Sequence, residues 1–244
     1  MSTINDLVNR IPSDLPTARA MIIGEIPIGI TENHNEVFYF WKNLGLSGAT
    51  LFHIDAHSDL DDVVRTIEEV GEDGYYKFLE INNFICAAVH YGIVHSQGYW
   101  LNPQEDRYNL RGLELDAEIK KFGPFDRIRW NKSSQTTKSP EEVIAEQEKE
   151  KRPLLLDIDI DAFSCNGKDP YGLKQYQSYG YEERIAHTFD LLRKLRRPAL
   201  VTITRSQAHL GKGGETYVDP KLVDEVQDKV IEGLVGLYGE KILL

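Results

Sequence analysis

Two clusters of histidine and aspartate each follow an apolar run in this chain. The first lies in Phe52–Leu60, after the apolar residues 49–52, and contains His53, Asp55, His57 and Asp59. The second follows Pro153-Leu154-Leu155-Leu156 and contains Asp157, Asp159 and Asp161. Carboxylate and imidazole groups are metal ligands, and aspartates at the end of a buried strand are costly without cations or donors beside them. The clusters therefore predict a divalent-metal site, with helix caps and turn formers as the alternative interpretation.

The spacing within each cluster limits how it can bind metal. A strand advances about 3.3 Å per residue and alternates its side chains, so Asp157 and Asp159 share a face with Cα atoms roughly 6.6 Å apart. That separation suits a pair of metals about 3.5–4 Å apart. Asp55 and Asp59 would lie roughly 13 Å apart in an extended chain. We therefore expect the chain to turn after Asp55.

The remaining histidines differ in how strongly they suggest a site. His34 lies at a predicted strand-to-helix turn, before apolar residues spaced as on an amphipathic helix. It is either a further metal-binding residue, outside the two clusters, or an ordinary residue at a helix start. His90 and His95 are predicted near the end of a helix over 79–94, where the dipole favours a structural role. His209 precedes a Gly-Lys-Gly-Gly stretch that lacks the phosphate-loop pattern, and neither it nor His53 receives a role.

Strands alternate with helices along the chain. Apolar runs predict strands over 20–23, 49–52, 99–101, 153–156 and 199–204, with 126–130 as a candidate edge strand, and Gly24, Pro27 and Gly29 interrupt the first. Ser139, Pro140 and Glu142 form a helix-start signal, and further helices are predicted over 182–195 and from Pro220 to Tyr238. This alternation predicts a three-layer α/β/α fold with a mostly parallel sheet, in which ligands bind at the carboxyl ends of strands.

Composition narrows the class of protein. With 244 residues and 41% hydrophobic content, the chain is expected to form one domain, residues 1–244. Its 28 basic and 39 acidic residues give a net charge of -11, which disfavours nucleic acid and anionic membranes as partners and favours cationic substrates. Cys86 and Cys165 lack paired spacing, so neither a disulfide framework nor a thiolate metal site is indicated. We expect a soluble cytoplasmic protein, because no signal-like start and no membrane-length apolar run is present.

The order of the clusters resembles that of the arginase/agmatinase (ureohydrolase) superfamily. Members bind two Mn²⁺ through a His, an Asp-Ala-His-x-Asp and an Asp-x-Asp, to which His34, Asp55–Asp59 and Asp157–Asp159 are similar. The closer resemblance is to the peptide arginases of ribosomal-peptide biosynthesis, which convert arginine side chains of a precursor peptide into ornithine. That resemblance is carried by Glu32–Asn35, His53–Leu60, Asn83-Phe84, Leu156–Asp161 and Thr202–Ser206.

The resemblance implies an arginase-like fold and a set of ligands. One metal would be held by His34, Asp55, Asp59 and Asp157. The other would be held by His57, Asp55, Asp157 and Asp159. A ligand set rich in carboxylate suits Mn²⁺ better than Zn²⁺.

The resemblance also implies catalytic residues. Asp59 would relay a proton, Asn82 or Asn83 stands where arginases carry a proton-shuttling His, and the guanidinium acceptor is Glu32, Asp161 or an acidic loop residue. Asp61 replaces an Asn that helps hold the α-carboxylate of free arginine, which favours a peptide substrate.

The expected activity is manganese-dependent hydrolysis of arginine side chains in a precursor peptide to ornithine and urea. The alternatives are an agmatinase-like or deacetylase-like hydrolase of amides or amidines, and a metal-binding module without catalysis.

Overall fold

The computed structural model describes residues 19–71, 75, 78–105, 110–165, 180–207 and 217–243. In these residues nine strands form one sheet: β1 (Arg19–Ile23), β2 (Ile26–Thr31), β3 (Ala49–Ile54), β4 (Val94–Leu101), β5 (Leu110–Phe122), β6 (Phe125–Lys138), β7 (Leu154–Asp159), β8 (Leu200–Thr204) and β9 (Lys241–Leu243). The strand order across the sheet is β6-β5-β4-β3-β7-β8-β2-β1-β9.

The central part of the sheet is parallel. Strands β4, β3, β7, β8 and β2 pair in parallel, whereas the pairs β6-β5, β5-β4, β2-β1 and β1-β9 are antiparallel. Only β1 and β5 therefore run against the common direction, and the prediction of a mostly parallel sheet is confirmed. The five parallel strands bring their carboxyl ends to one edge of the sheet.

Helices cover both faces of the sheet. They are α1 (Val37–Asn43), α2 (Ile67–Val70), α3 (Phe84–His90), α4 (Pro140–Lys149), α5 (Tyr181–Leu192) and α6 (Val223–Tyr238). One core cluster joins α1 and α3 to Leu51 and Leu155, and the other joins α4, α5 and α6 to Phe52 and Leu156. Successive strand residues face opposite sides, so neighbouring leucines serve different cores. The three-layer α/β/α prediction is confirmed, and no helix in the described residues could cross a membrane.

Several predicted elements have different bounds in the structure. The helix expected over 79–94 ends at His90, because Gly92 adopts a φ of 69° and the chain from Val94 pairs with β3 as strand β4. His90 is the last residue of α3 as expected, but the placement of His95 at a helix end is wrong, because it lies in β4. Strand β6 contains 126–130 at the sheet edge, as predicted.

Pro27 and Gly29 do not interrupt a strand, contrary to the sequence prediction. Gly24 and Glu25, with φ of 51° and 69°, form the turn of a hairpin between β1 and β2. Pro27 precedes the residues of β2 that pair with β8, so its missing N–H breaks no parallel pairing. At Gly29 a Cβ would lie 2.8 Å from the Phe40 ring. Glycine is therefore required there by close packing of α1.

Candidate metal centre

The predicted clusters meet at the carboxyl edge of the parallel strands. Across β3, β7 and β8 the register places His53 beside Asp157 and Asp157 beside Thr202. His34 follows β2, and Asp55 follows β3. Because neighbouring strands lie about 4.8 Å apart, side chains that leave their ends on one side can touch.

His34 lies at the centre of this arrangement and is buried. Its Nδ1 lies 2.9 Å from Asp59 Oδ2 and 3.1 Å from Oδ2 of both Asp55 and Asp159. Its Nε2 lies 2.9 Å from Asp157 Oδ2. Four aspartates from two distant segments of the chain thus converge on one imidazole.

The chain turns after Asp55, as the metal interpretation required. The backbone N–H of His57 donates to Asp55 Oδ1 at 2.6 Å, which folds the chain back on itself. Asp59 then adopts a φ of 51°, and Ser206 at the end of β8 adopts 52°. Left-handed backbone at residues other than glycine costs about 1–3 kcal/mol and is concentrated at functional sites.

Two residues outside the expected ligand set also belong to the cluster. His53 Nδ1 lies 2.9 Å from Asp157 Oδ2, and Asp161 Oδ2 lies 3.0 Å from His57 Nδ1. Asp161 was a candidate guanidinium acceptor, whereas His53 had received no role. His53 stands two positions before Asp55, and the strand period of two was the signal that could have indicated it.

Further polar residues hold the clustered carboxylates in place. Thr202 Oγ1 donates to Asp157 Oδ1 at 2.6 Å, and Trp41 Nε1 donates to Thr202 Oγ1 at 3.2 Å. Ser206 Oγ donates to Asp159 Oδ2 at 2.5 Å. Such contacts fix the orientation of metal-binding carboxylates. Thr202 and Ser206 belong to a motif that the resemblance includes but to which sequence reasoning gave no role.

Other candidate residues have partners outside the cluster. Asn83 Oδ1 accepts from the backbone N–H of Glu80 at 2.9 Å, while its neighbour Phe84 packs its ring 4.5 Å from that of His34. Glu32 Oε1 pairs with Arg205 Nε at 2.9 Å. No contact between described residues joins Asn83 or Glu32 to the aspartates around His34.

The rim and the remaining histidines are placed as follows. Asp61 is exposed and accepts from Asn82 Nδ2 at 2.7 Å. His90 packs against Tyr91, and His95 contacts Ser96. His209, the 211–214 stretch and most of the loop predicted over 164–181 lie outside the described residues.

The fold is similar to that of a solved structure described as a hypothetical agmatinase from Burkholderia thailandensis. The TM-score is 0.48 and the sequences are 13% identical; the match covers 87% of this chain and 59% of the other. This chain therefore spans less than two thirds of that protein's length. No family model and no curated protein matches the sequence.

The electrostatics of the cluster follow from its burial. Burial, with Asp161 and Asp59 nearby, raises the pKa of Asp55 to about 8, and burial beside Asp161 also raises the pKa of Asp159. Burial opposes ionisation of Asp157, but His34 and His53 outweigh it and lower its pKa.

The carboxylates of the cluster also shift the pKa values of its histidines. Burial favours the neutral ring of His34, but Asp157 and the other carboxylates raise its pKa well above 6.5. The pKa of His57 is likewise raised, because Asp161 and Asp55 outweigh its burial, and the pKa of Asp161 is lowered by His57 despite burial. These groups behave as partners in one charge network.

Carboxylates outnumber imidazoles in the cluster. Five buried aspartates (Asp55, Asp59, Asp157, Asp159, Asp161) face three histidines (His34, His53, His57), so with every carboxylate ionised three protonated rings would leave two negative charges. The raised pKa values of Asp55 and Asp159 show that, without a cation, protons take up this excess. The buried atom Asp55 Oδ2 lies 3.1 Å from His34 Nδ1 and 3.4 Å from His53 Nε2, so one carboxylate oxygen faces two imidazoles. Buried unpaired charge is costly, and bound cations remove that cost. The donor set therefore fits divalent metal ions.

Among the residues that the structure describes, three groups of side chains could each hold a metal ion. They are His34/His53/Asp55, Asp55/Asp159/Asp161 and His57/Asp161/Cys165. Asp161 and Cys165 extend the ligand set expected from the sequence. Cysteine spacing did not indicate Cys165, because its potential co-ligands are not cysteines: Asp161 lies four residues before it and His57 comes from a distant segment.

Proposed function

We propose that this chain is a hydrolase with two metal ions that acts on arginine side chains of a peptide, releasing urea and leaving ornithine. The observation that carries the proposal is the convergence on His34 of four aspartates from two distant segments. We propose Mn²⁺, because carboxylate-rich sites suit it.

The ligands would be those implied by the motif order: His34, Asp55, His57, Asp59, Asp157 and Asp159. Two divalent cations held by these residues would lower the pKa of a bound water toward neutrality and would so supply a nucleophile. His53 and Thr202 would orient Asp157 from behind, through the contacts of 2.9 Å and 2.6 Å.

Asp59 is the residue that we propose moves the proton. It lies at the end of the Asp55–Asp59 turn and is slightly more exposed than Asp55. Its carboxylate would accept a proton as the guanidino carbon is attacked and would deliver it to the departing side-chain nitrogen. The carbon–nitrogen bond then breaks, leaving ornithine in the peptide and urea as the second product.

The charge of the rim favours an arginine within a peptide over free arginine. The exposed Asp61 carboxylate has its pKa raised by partial burial and by Asp59 and Asp62, so it lies within the field of the site. It would attract a guanidinium group and repel the α-carboxylate of free arginine. Glu32 would have to leave Arg205 to receive the substrate.

Incubation of the manganese-loaded protein with an arginine-containing peptide tests the proposal. We expect urea, together with a peptide mass loss of about 42 Da per arginine for this metal-assisted hydrolysis. Asp159→Ala should abolish turnover without changing the circular dichroism spectrum. Asp190→Ala is the control, because Asp190 is an exposed acid paired only with Arg193 among its described contacts.

Normal turnover by Asp159→Ala would contradict the metal assignment. Release of a carboxylic acid or amine from an amide, without urea, would instead favour a deacetylase-like hydrolase. Two bound metals per chain with no turnover of guanidino or amide substrates would favour a metal-binding module.

A further inference from the structure

One group of potential ligands contains a thiol and is not part of the resemblance. The ligand atoms of His57, Asp161 and Cys165 all lie within 4.8 Å of one another. His57 comes from the turn after β3, Asp161 from the 3-10 turn Ile160–Ala162 after β7, and Cys165 from the next few residues. Three types of donor thus meet from two segments.

These three donors suit a different metal from that of the aspartate-rich part. Thiolate selects Zn²⁺ and other borderline or soft ions, whereas carboxylate and water suit Mn²⁺. Three protein ligands with one open position are typical of catalytic zinc sites. With Zn–N and Zn–O of about 2.0–2.2 Å and Zn–S of about 2.3 Å, tetrahedral ligand atoms lie within 4 Å of one another, so modest side-chain movement is sufficient.

The surroundings of His57 independently favour a cation. His57 Nδ1 lies 3.3 Å from Asp55 Oδ1, and Asp55 is fully buried. Its other oxygen, Oδ2, lies 3.1 Å from His34 Nδ1 and 3.4 Å from His53 Nε2, so Asp55 joins His57 to the His34 side of the cluster. Asp161 also belongs to the group Asp55/Asp159/Asp161, so it lies between the thiol and the buried carboxylates. A cation beside His57 would lower the energy of both carboxylates.

We propose that His57, Asp161 and Cys165 form a metal position with a thiolate ligand, which binds Zn²⁺ or Co²⁺ in preference to Mn²⁺. This deepens the proposed function, on which it rests: His57 is one of the ligands assigned there, and at its position Zn²⁺ would take the place of Mn²⁺. One of the two metals would then be chemically distinct from the other. The thiolate would be held by the metal and would add one negative charge to neutralise it.

Titration of the metal-free protein with Co²⁺ tests this inference. A cobalt–thiolate bond gives an intense charge-transfer band in the near ultraviolet, which oxygen and nitrogen ligands do not produce. We expect this band to saturate at about one Co²⁺ per chain. Cys165→Ser should lose it, and Cys86→Ser should retain it, because buried Cys86 contacts the carbonyl of Ile128 rather than the cluster.

Cys165→His keeps the experiment decisive if the serine variant folds poorly. Histidine supplies a nitrogen ligand, so Co²⁺ should still bind but without the sulfur band. The inference is overturned if wild-type protein shows no such band or if the band survives in Cys165→Ser or Cys165→His. It is also overturned if Mn²⁺ in equal concentration displaces Zn²⁺ from the position.

The two proposals can fail separately. A thiolate band in a protein that releases no urea from any arginine peptide leaves the metal position in place and removes the hydrolase. Urea release by a protein without the band supports the hydrolase and removes the thiolate metal position.

Discussion

Asp157 is held through both of its carboxylate oxygens. Its Oδ1 accepts from Thr202, whose hydroxyl accepts in turn from Trp41 Nε1, and its Oδ2 faces both His34 and His53. A chain of hydrogen bonds through a dry core holds this oxygen in one place, since each buried group needs its partner. Asp157 is therefore pre-oriented before any metal binds.

Thr202→Val tests this chain of hydrogen bonds. The change keeps the shape of the side chain but leaves Asp157 Oδ1 and Trp41 Nε1 without their partner, so we expect a loss of about 1–3 kcal/mol in the free energy of unfolding. Thr188→Val is the matched control: the buried Oγ1 of Thr188 has no partner among the described residues, so its removal should be neutral or stabilising. Urea denaturation measures both. Equal effects in the two variants would contradict the assigned role of Thr202.

At the scale of elements, helix α6 packs on α5 through a glycine. A Cβ at Gly233 would lie 2.6 Å from the Phe189 ring, whereas a Cβ at Gly236, one turn later, would meet nothing within 4 Å. The two positions share a helix and differ only in what they face. They therefore separate helix propensity from packing.

Gly233→Ala and Gly236→Ala should change stability in opposite directions. At Gly236, alanine should stabilise by about 0.5–1 kcal/mol, because it restricts the unfolded chain. At Gly233 the gain is outweighed by displacement of Phe189, and overpacking typically costs about 1–3 kcal/mol. Thermal unfolding of the two variants measures the difference. Stabilisation by both would show that α5 and α6 pack less closely than described.

At the scale of the whole molecule, the site makes the metal-free fold sensitive to pH. The pKa of Asp55 is raised from 3.8 to about 8, so the folded state binds more protons than the unfolded state between these values, and stability falls as pH rises. The pKa values of His34 and His57 are raised above 6.5, and their contribution is likewise lost as pH rises through the folded values. The pKa values of Asp157 and Asp161 are lowered, so the stability that these two carboxylates contribute is lost only as pH falls below about 4.

The chelator-treated protein should therefore melt at a lower temperature at pH 9 than at pH 6. Saturating Mn²⁺ should raise the melting temperature, more at pH 9 than at pH 6, because metal binding needs deprotonated ligands. Calorimetry with and without metal measures both effects. A metal-free melting temperature that rises from pH 6 to pH 9 would contradict the described network.

Local sequence signals predicted many of the elements and the side-chain clusters that meet around His34, but not β5 or β9. The capping box at Ser139 forms as predicted, with Glu142 completing it. The apolar runs before Asp55 and Asp157 form β3 and β7. Each of these signals lies within a few consecutive residues, so it can be recognised without knowing which distant segment packs against it. The prediction of a helix over 79–94 was wrong at its C-terminal end, because the chain from Val94 forms backbone hydrogen bonds with β3 instead of extending α3.

The sequence by itself determined the chemistry available here. It showed which carboxylates and imidazoles follow apolar strands, and their charge predicted a cation site. Only the tertiary structure decided which of them meet. The order β3-β7-β8-β2 arises from packing two cores on a common sheet, which no local pattern specifies. That order places His53 beside Asp157 and brings Asp161 and Cys165 to His57. Contacts between distant segments depend on the fold as a whole, because they form only when every layer is in place.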